Sequence, residues 1–574
     1  YRSWILDVIV IAAFGLVLGI GGWYGSRARE RVPPTITRLT THGLVDRSAI
    51  SPDGKLYAYT KMDTGRGESV WLGHVDGGPE IMLRPTDPGD YGKLQFSPDG
   101  SRLYMVWVPG TSSDHGILFR MPVFGGPVEK VKDDVFGGPT FSPDGKQYAF
   151  VRFTADSLRN SLIIANTDDG VERELLSRSD PQKIVANSIA WSPDGGEIAF
   201  AGGKEGGRTQ EIFSTRVADG EVRQVTNFNW ETVYTQTWTR DGRLFADASE
   251  MGANLKRQVW TVDPATGKVE RLISDLNTYY TLSASNDVSE LLTTQAQRYS
   301  NIWVGPSADF SSARQITADM FGKQTGWDGL DFASDGRIFF TGYVGLSETL
   351  WVMREDGSEQ RQVLPEARTN YHLSLPDNGA FVVFESNRSG QTEVWRMSPD
   401  GGELAQLTSD GPNENPHVSP DGSRIVYTST RDGQKGLWVQ DVASGAQRRL
   451  TEFTGDWARF SPDGSMIACS YDGTELGKLA IVSSDSGQLI KLFETPRTAN
   501  FRLSFRWTPD SKAVTYRDWN DGIWKQDLAG GEPTRLPGLP HEKLLAYAWS
   551  HDGKQFAFTR YLDIHDLVLI KGFE

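Results

Sequence analysis

Residues 51–60 read SPDGKLYAYT, and the same turn followed by an alternating strand returns as SPDGKQYAFV at residues 142–151 and SPDGSRIVYT at residues 419–428. In such a turn proline presets φ at the second position, aspartate tolerates the third, and glycine supplies the positive φ that ends it. Alternation of apolar and polar residues is typical of a strand with one buried face. The pattern therefore predicts antiparallel hairpins. A structural, turn-making role is assigned to the aspartates of the six complete SPDG turns, Asp53, Asp99, Asp144, Asp194, Asp421 and Asp463.

Diverged copies bring the number of turns to twelve. They read TRDG at Thr239, ASND at Ala284, ASDG at Ala333, LPDNG at Leu375, TPDS at Thr508 and SHDG at Ser550. The aligned aspartates lie 42 to 50 residues apart, a period typical of propeller blades. A third strand that often carries tryptophan follows, as in EVWRM at Glu393, and then a short fourth strand, as in LAQLT at Leu404. Four strands in each repeat predict the blades of an all-β propeller protein.

Composition agrees with this fold class and excludes some functions. Gly (61) and Pro (28) are abundant among the 574 residues, which indicates many turns. The net charge of −15 opposes binding to a phosphate backbone, so we expect no nucleic-acid partner. The single cysteine, Cys469, excludes an internal disulfide and a cysteine-based metal cluster.

Propellers usually have four to eight blades, so twelve blades predict two consecutive six-bladed rings, at residues 34–308 and 309–574. The link SADFSSA after Asn301–Pro306 has no turn glycine, which suggests that it is not a hairpin. We expect Ile36–Thr40 to close the first ring beside Asn301–Pro306, and Ala313–Thr317 to close the second beside Leu567–Ile570. This closure leaves no open sheet edge. It fails if Ile36–Thr40 pairs with Leu567–Ile570 instead.

The first 33 residues differ from the repeats. Val8–Tyr24 is an uncharged run of 17 residues, which predicts a membrane helix over about residues 5–24 and then a short linker. Gly15 and Gly19 form a GxxxG pair that could support helix pairing and a homodimer. Arginines at 27, 29 and 31 favour a cytoplasmic location for the residues after the helix. Because the chain begins with Tyr1, we expect it to be the C-terminal part of a longer protein.

The sequence contains no recognisable catalytic motif. GxSxG, HExxH, Walker and kinase signatures are absent from the 574 residues, so we predict no catalytic residue, no metal and no cofactor. Two polar loops between second and third strands are candidate ligand contacts, because propeller ligands usually meet loops on one face. Ordinary hairpin turns are the alternative interpretation. The candidate residues are Asp63, Arg66 and Glu68 in the first loop and Asn387 and Arg388 in the second.

The SPDG turns, third-strand tryptophans and QLT-type fourth strands resemble the TolB-like, WD-type β-propeller repeat family over about residues 34–574. More narrowly, RLTTHGLVDRSAISPDGK at Arg38 and DLVLIKGF at Asp566 are similar to the ends of extracytoplasmic regions in large bacterial membrane proteins. Such proteins carry a serine/threonine kinase or a winged-helix domain before one membrane helix. The resemblance implies a periplasmic location, in opposition to the arginines after the helix.

Three functions remain open at this point. The first is a membrane-anchored, non-catalytic sensor that binds a protein, peptide or envelope ligand and signals to a cytoplasmic domain. The second is a TolB-like envelope scaffold. The third is an enzyme with its site inside a ring, which predicts a cluster of ionisable side chains with shifted pKa values at one channel mouth.

Overall fold

The computed structural model describes residues 33–573 with short gaps. The gaps are 64–66, 110–115, 155–158, 180–181, 205–208, 252–255, 276, 288, 319–323, 345–346, 365–369, 472–477, 496–498, 501–504, 519–521 and 540–543. No helix within the described residues is both long enough and apolar enough to cross a membrane. The predicted helix, with Gly15 and Gly19, lies outside the described residues and stays a prediction.

The described chain is built of strands that pair antiparallel, as the sequence predicts, apart from one parallel contact of Ser300 with Gln324; two short 3-10 helices lie at Ala186–Ser188 and Phe310–Ser312. After β1 (Thr35–Arg38), five blades follow in chain order. Blade 1 comprises β2 (Val45–Ile50), β3 (Leu56–Asp63), β4 (Gly67–His74) and β5 (Ile81–Asp87); blade 2 comprises β6 (Gly89–Phe96), β7 (Arg102–Pro109), β8 (Gly116–Pro122) and the start of β9 (Glu129–Phe141); blade 3 comprises the end of β9, β10 (Gln147–Thr154), β11 (Arg159–Asn166) and β12 (Glu172–Ser179); blade 4 comprises β13 (Ala190–Trp191), β14 (Glu197–Gly203), β15 (Gln210–Arg216) and β16 (Val222–Gln224); blade 5 comprises β17 (Trp230–Trp238), β18 (Leu244–Glu250), β19 (Gln258–Val262) and β20 (Val269–Arg271).

Five blades in the second half of the chain have the same plan. Blade 7 comprises β24 (Gln324–Phe332), β25 (Arg337–Val344), β26 (Ser347–Arg354) and β27 (Arg361–Leu364); blade 8 comprises β28 (Asn370–Ser374), β29 (Val382–Ser386), β30 (Glu393–Met397) and β31 (Ala405–Gln406); blade 9 comprises β32 (Asn413–Val418), β33 (Arg424–Ser429), β34 (Gly436–Asp441) and β35 (Gln447–Arg449); blade 10 comprises β36 (Gly455–Phe460), β37 (Met466–Tyr471), β38 (Lys478–Ser483) and β39 (Leu489–Phe493); blade 11 comprises β40 (Ala499–Asn500), β41 (Arg506–Trp507), β42 (Ala513–Asp518), β43 (Gly522–Asp527) and β44 (Thr534–Arg535).

Blades 6 and 12 exchange strands. β22 (Glu290–Pro306) and β46 (Gln555–Lys571) are 17 residues long and pair antiparallel along their whole length. Blade 6 consists of β21 (Thr278–Ala284), the first half of β22, the second half of β46 and β1. Blade 12 consists of β45 (Leu544–Trp549), the first half of β46, the second half of β22 and β23 (Arg314–Gln315). Each of these blades therefore takes its third strand from the other half of the chain.

The predicted closure is wrong, because Ile36 lies opposite Ile570 and Thr37 opposite Leu569. The physical reason is that β22 and β46 contain no turn between their halves. Residues 290–304 and 555–571 lack glycine and proline, so the chain continues straight where other blades fold back. The link SADFSSA does join paired strands, contrary to prediction, since Trp303 pairs with Gln315. Asp309 takes the place of a turn glycine by accepting the Ser311 N–H at 3.1 Å.

The first strands of the end blades are in contact. The Ser48 hydroxyl of blade 1 lies 2.9 Å from that of Thr281 in blade 6. In the second half of the chain, Leu330 of blade 7 and Ala546 of blade 12 share one apolar cluster. Blade 1 thus packs on blade 6, and blade 7 on blade 12.

The QLT-type fourth strand is held by its threonine. The Oγ1 atoms of Thr226, Thr317, Thr408 and Thr40 accept the backbone N–H of Ile212, Ile302, Val394 and Leu567 at 2.9–3.0 Å. The hydroxyls of Thr226, Thr408 and Thr40 donate to buried carboxylates, those of Glu211, Glu393 and Asp566. Thr226, Thr317 and Thr408 each bond to a third strand nearby in the sequence, whereas Thr40 makes the same hydrogen bond to Leu567, at the other end of the described chain.

We expect Thr40→Val to lower the free energy of unfolding by about 1–3 kcal/mol, because it leaves the buried Leu567 N–H without its acceptor. Thr37→Val, on the exposed strand β1, is the matched control and should change the free energy of unfolding by less than about 0.5 kcal/mol. Denaturant titration of both variants measures the difference. Equal stability of the two variants would contradict this role of Thr40.

Candidate functional site

The SPDG aspartates lie in the turns, where their carboxylates hold the backbone. Asp53 accepts the Ser51 hydroxyl at 2.6 Å and the Lys55 N–H at 3.1 Å. Asp99, Asp144, Asp194, Asp421 and Asp463 accept the corresponding serine hydroxyl and N–H in the same way. The hydrogen bond from Ser51 lowers the pKa of Asp53. These contacts are internal to each turn.

The first candidate loop is shorter than the sequence suggests. Asp63 ends β3, Arg66 lies outside the described residues, and Glu68 belongs to β4. Gly67 has φ +106°, and a Cβ there would lie 1.8 Å from the Asp87 carbonyl oxygen, so only glycine fits. Glu68 is buried, and its carboxylate accepts the Tyr91 N–H at 2.9 Å.

In the second candidate loop, Asn387 follows β29 and Arg388 lies over aromatic rings. The Arg388 guanidinium is 5.3 Å from the Phe384 ring centre and 5.1 Å from that of Trp395. Lys61 over Trp71, Arg271 over Trp260, Arg431 over Trp438 and Arg560 over Trp303 repeat this contact in other blades. Arg388 therefore takes part in a recurring cover of the third-strand tryptophan.

A group of charged and aromatic side chains gathers where β22 and β46 pass from one blade to the other. We call it the crossover cluster: Asp46, Arg47, Glu68, Tyr234, Asp247, Arg257, Tyr280, Arg298, Asp563 and His565. Arg257 lies between two tyrosines, 3.4 Å from the Tyr234 ring centre and 4.1 Å from that of Tyr280. Asp247 is fully buried and lies 3.2 Å from Arg257. Burial raises the pKa of Asp247, and Arg257 opposes the rise.

The middle of the exchanged strands carries an arginine, a carboxylate and a histidine. Arg298 lies opposite Asp563 in the strand pairing, with Nε 3.4 Å from Oδ1. His565 Nε2 is 2.8 Å from the same oxygen, and its Nδ1 is 3.1 Å from the Val45 carbonyl oxygen. Burial works against ionisation of Asp563, but His565 and Arg298 hold the pKa of its carboxyl at about 2. Asp563 is therefore ionised at neutral pH.

Asp46, Arg47 and Glu68 lie beside this group, at the start of β2 and β4. Arg47 Nε is 3.4 Å from Asp46 Oδ2 and donates to the Tyr91 carbonyl at 3.0 Å. Burial and the neighbouring Asp46 carboxylate raise the pKa of Glu68. This region is the kind of ionisable cluster that the enzyme hypothesis predicts, although the described carboxylates of Glu68, Asp247 and Asp563 each have an N–H or cationic partner.

The interior between the first strands of blades 1–6 is polar. A cavity of about 190 Å³ is lined by Lys93, Gln95, Thr140, Gln236 and the turn prolines. Burial lowers the pKa of Lys93 to about 8. Across the described parts of the chain, no three His, Cys, Asp or Glu side chains converge as metal ligands.

The crossover cluster could not be found from the sequence by motif. Its members come from blades 1, 5 and 6 and from both ends of the chain, and their spacing follows no pattern. The composition of the exchanged strands is a usable signal for the cluster. A long strand without turn residues is expected to be buried and apolar, but QAQRYS at 295–300 and YLDIHD at 561–566 are polar.

Comparison with known proteins gives a family match. The family model described as the TolB beta propeller domain matches residues 128–369 and 331–501, which together are more than half of the chain. An uncharacterized protein of Agrobacterium fabrum is 26% identical over 240 residues, 41% of this chain and 68% of that protein. A TolB homolog of Chlorobium luteolum is 29% identical over 163 residues, 27% of this chain and 36% of that protein. This chain thus spans little more than a third of that homolog's length.

Solved structures give a weaker comparison. The crystal structure of TolB from Acinetobacter baumannii has 16% sequence identity and a TM-score of 0.20, and the alignment covers 70% of this chain and 79% of that one. A TM-score this low supports no argument, so the family match alone carries the assignment.

Proposed function

Since this chain belongs to the TolB β-propeller family, we propose that it is a non-catalytic, protein-binding scaffold module of the bacterial cell envelope. The observation that carries the proposal is the crossover cluster. Its Arg257 lies between Tyr234 and Tyr280, and all three are at least partly buried. Arginine and tyrosine held in place in this way are the residues that dominate protein recognition. The half-buried Asp46 and Arg47 add a polar rim.

We propose that blades 1–6 and blades 7–12 are two six-bladed propellers joined by their exchanged strands. The contacts of blade 1 with blade 6, and of blade 7 with blade 12, support it. The first propeller would then comprise residues 33–298 with 563–573, and the second residues 299–562. This division replaces the boundary near residue 308.

We further propose that the module is extracytoplasmic and anchored by the helix predicted at about residues 5–24. The apolar run at 8–24 supports an anchor, and pairing through Gly15 and Gly19 would make a homodimer. A signalling role would need a kinase or winged-helix domain before Tyr1. The complete reading frame upstream distinguishes a sensor, which requires such a domain, from a scaffold, which requires only a short leader.

An enzyme is the second candidate, and one observation favours it. The buried Glu68 beside Asp46 has a raised pKa, as a general acid requires. If the chain has a hydrolytic activity at this site, Glu68→Gln will abolish it.

Capture from an envelope extract tests the binding proposal. We expect residues 33–574 to retain a specific protein, and Arg257→Ala to reduce its retention by about tenfold or more when equal amounts of folded protein, checked by circular dichroism, are compared. Arg178→Ala is the matched control, because Arg178 also covers aromatic rings, those of Phe200 and Phe213, away from the cluster. Capture of no specific partner, or equal capture by Arg257→Ala and the wild type, would contradict the proposal.

A further inference from the structure

The inner strands of the second half of the chain carry a band of ionisable residues that the first half lacks. The residue four positions before the turn aspartate is alanine, glutamine, threonine or serine in blades 1–6, and in blades 2–6 it lines the cavity. At the same position, blades 7, 9, 10 and 11 have Asp331, His417, Arg459 and Arg506. His417, Arg459 and Arg506 therefore occupy the same position on the first strands of three consecutive blades, and we call this position the inner level.

Arg459 is buried without a carboxylate partner. Its exposed fraction is 5%, and Nη1 donates to the carbonyls of Pro416 and Ala458 at 3.4 and 3.3 Å. Among the described residues, Arg459 forms no ion pair. Carbonyl oxygens satisfy hydrogen bonds but leave the positive charge uncompensated, which is unfavourable for a buried guanidinium.

Arg506 reaches across the inner face of the blades. It donates to the carbonyls of Tyr547 at 3.0 Å and Leu330 at 3.3 Å, which belong to blades 12 and 7. It too forms no ion pair with any described residue. Backbone oxygens therefore hold both guanidiniums in place, including the Phe505 carbonyl at 3.2 Å from Arg506 Nη1, and no described side chain accepts a hydrogen bond from either of them.

His417 adds a neutral donor at the same level. Its Nδ1 accepts the Phe460 N–H at 3.2 Å, so the proton of the neutral ring lies on Nε2. Burial, together with the charges of Arg459 and Arg506, lowers the pKa of His417 well below its usual value. The ring is therefore neutral, and Nε2–H is a donor at neutral pH.

The charges at this level do not balance. Burial and the charge of Arg506 lower the pKa of Arg459 to about 9, although Asp331 and Asp456 oppose this. Asp456 is already paired with Lys435, and burial raises the pKa of Asp331, although Arg506, His551 and Arg459 oppose the rise. Even when Asp331 is ionised, it supplies one negative charge against two guanidiniums. The level thus keeps an excess of positive charge within a chain of net charge −15.

We propose that Arg459, Arg506 and the Nε2–H of His417 form a binding site for one small oxyanion, a phosphate or a carboxylate group. Rigid guanidinium forks match the geometry of these oxyanions, and a bound anion would compensate the buried charge. The site lies outside the crossover cluster and does not depend on the protein-binding role. The competing explanation is that the arginines only cross-link carbonyls of neighbouring blades.

Calorimetric titration of residues 33–574 with inorganic phosphate and, in parallel, with citrate tests the site at pH 7 and constant ionic strength. We expect saturable binding of one of these anions at one site per chain, and the two titrations show which chemistry is preferred. Arg459→Met and Arg506→Met should each weaken it by about tenfold or more. Arg517→Met, which removes a buried arginine that donates to the Leu544 carbonyl, is the matched control and should keep the affinity.

Thermal unfolding with and without added anion is a second test, which does not require the high protein concentration of calorimetric titration. An uncompensated buried charge predicts that Arg459→Met unfolds at the same temperature as the wild type or a higher one, and that phosphate or citrate raises the unfolding temperature of the wild type alone. A carbonyl cross-link predicts a lower unfolding temperature for Arg459→Met and no anion effect. That result, or absence of saturable binding of both anions, would overturn the proposal.

Discussion

Expressed separately, residues 33–308 and residues 309–573 will each fail to form a stable fold, whereas the contiguous segment 299–562 will fold by itself. The reason is the strand exchange. A cut at residue 308 leaves each piece with one half of β22 or β46 unpaired and its last blade without a third strand. Unpaired strands of this length expose backbone groups and an apolar face, so the pieces should aggregate. Segment 299–562 contains every strand of blades 7–12.

The complementary piece needs a designed turn. Arg298 lies opposite Asp563, so an Asn-Gly dipeptide can join them as a two-residue hairpin. We expect residues 33–298, joined in this way to 563–573, to be soluble and to unfold cooperatively. Size-exclusion chromatography and circular dichroism compare the four polypeptides. Stable, monomeric 33–308 would contradict the exchange, as would co-expressed 33–308 and 309–573 that do not associate.

Asp247→Ala should lower the free energy of unfolding by about 3–5 kcal/mol, the second large effect that we expect. Asp247 is fully buried and accepts the Thr235 hydroxyl at 2.7 Å, besides pairing with Arg257. Its removal leaves a largely buried guanidinium without a counter-charge. Replacing both residues, as Asp247→Ala with Arg257→Met, should restore part of the loss, because no uncompensated charge then remains.

An exposed ion pair supplies the control. Asp133 pairs with Lys130, and both side chains are more than half exposed, so Asp133→Ala should change the free energy of unfolding by less than about 0.5 kcal/mol. Denaturant titration of the full chain compares the variants. If Asp247→Ala matches the control, or if the double variant loses the sum of both single losses, the ion pair is not what stabilises this region.

The repeat determined most of what could be predicted. Proline, aspartate and glycine define a turn through local backbone chemistry, so the hairpins and blades were readable from SPDG alone. The strand exchange could not be predicted from local residues. It depends on the pairing of Leu567 with Thr294, which are far apart in the sequence, and such pairing is decided by the tertiary fold. The absence of glycine and proline in residues 290–304 and 555–571 is the available signal, whereas our prediction rests on the missing turn glycine of the link SADFSSA.

The candidate sites were less predictable than the fold. The sequence predicts Glu68 in a polar loop, but Gly67 with its positive φ ends the turn one residue earlier, and the Glu68 carboxylate is buried. The sequence predicts Arg388 as a polar loop residue, yet its guanidinium lies over the Trp395 ring. Arg257 and Arg459 gave no local signal, because their surroundings are supplied by other blades.

The long paired strands also set an order of events during synthesis. Arg298 leaves the ribosome about 265 residues before Asp563, an interval on the order of tens of seconds at bacterial rates of translation. Throughout that time blade 6 lacks its third strand, which is also the partner of β1, so residues 33–298 remain incomplete until residues 563–571 have been made. A nonsense mutation before residue 563 would therefore leave blade 6 incomplete, as well as the blades that follow the mutation.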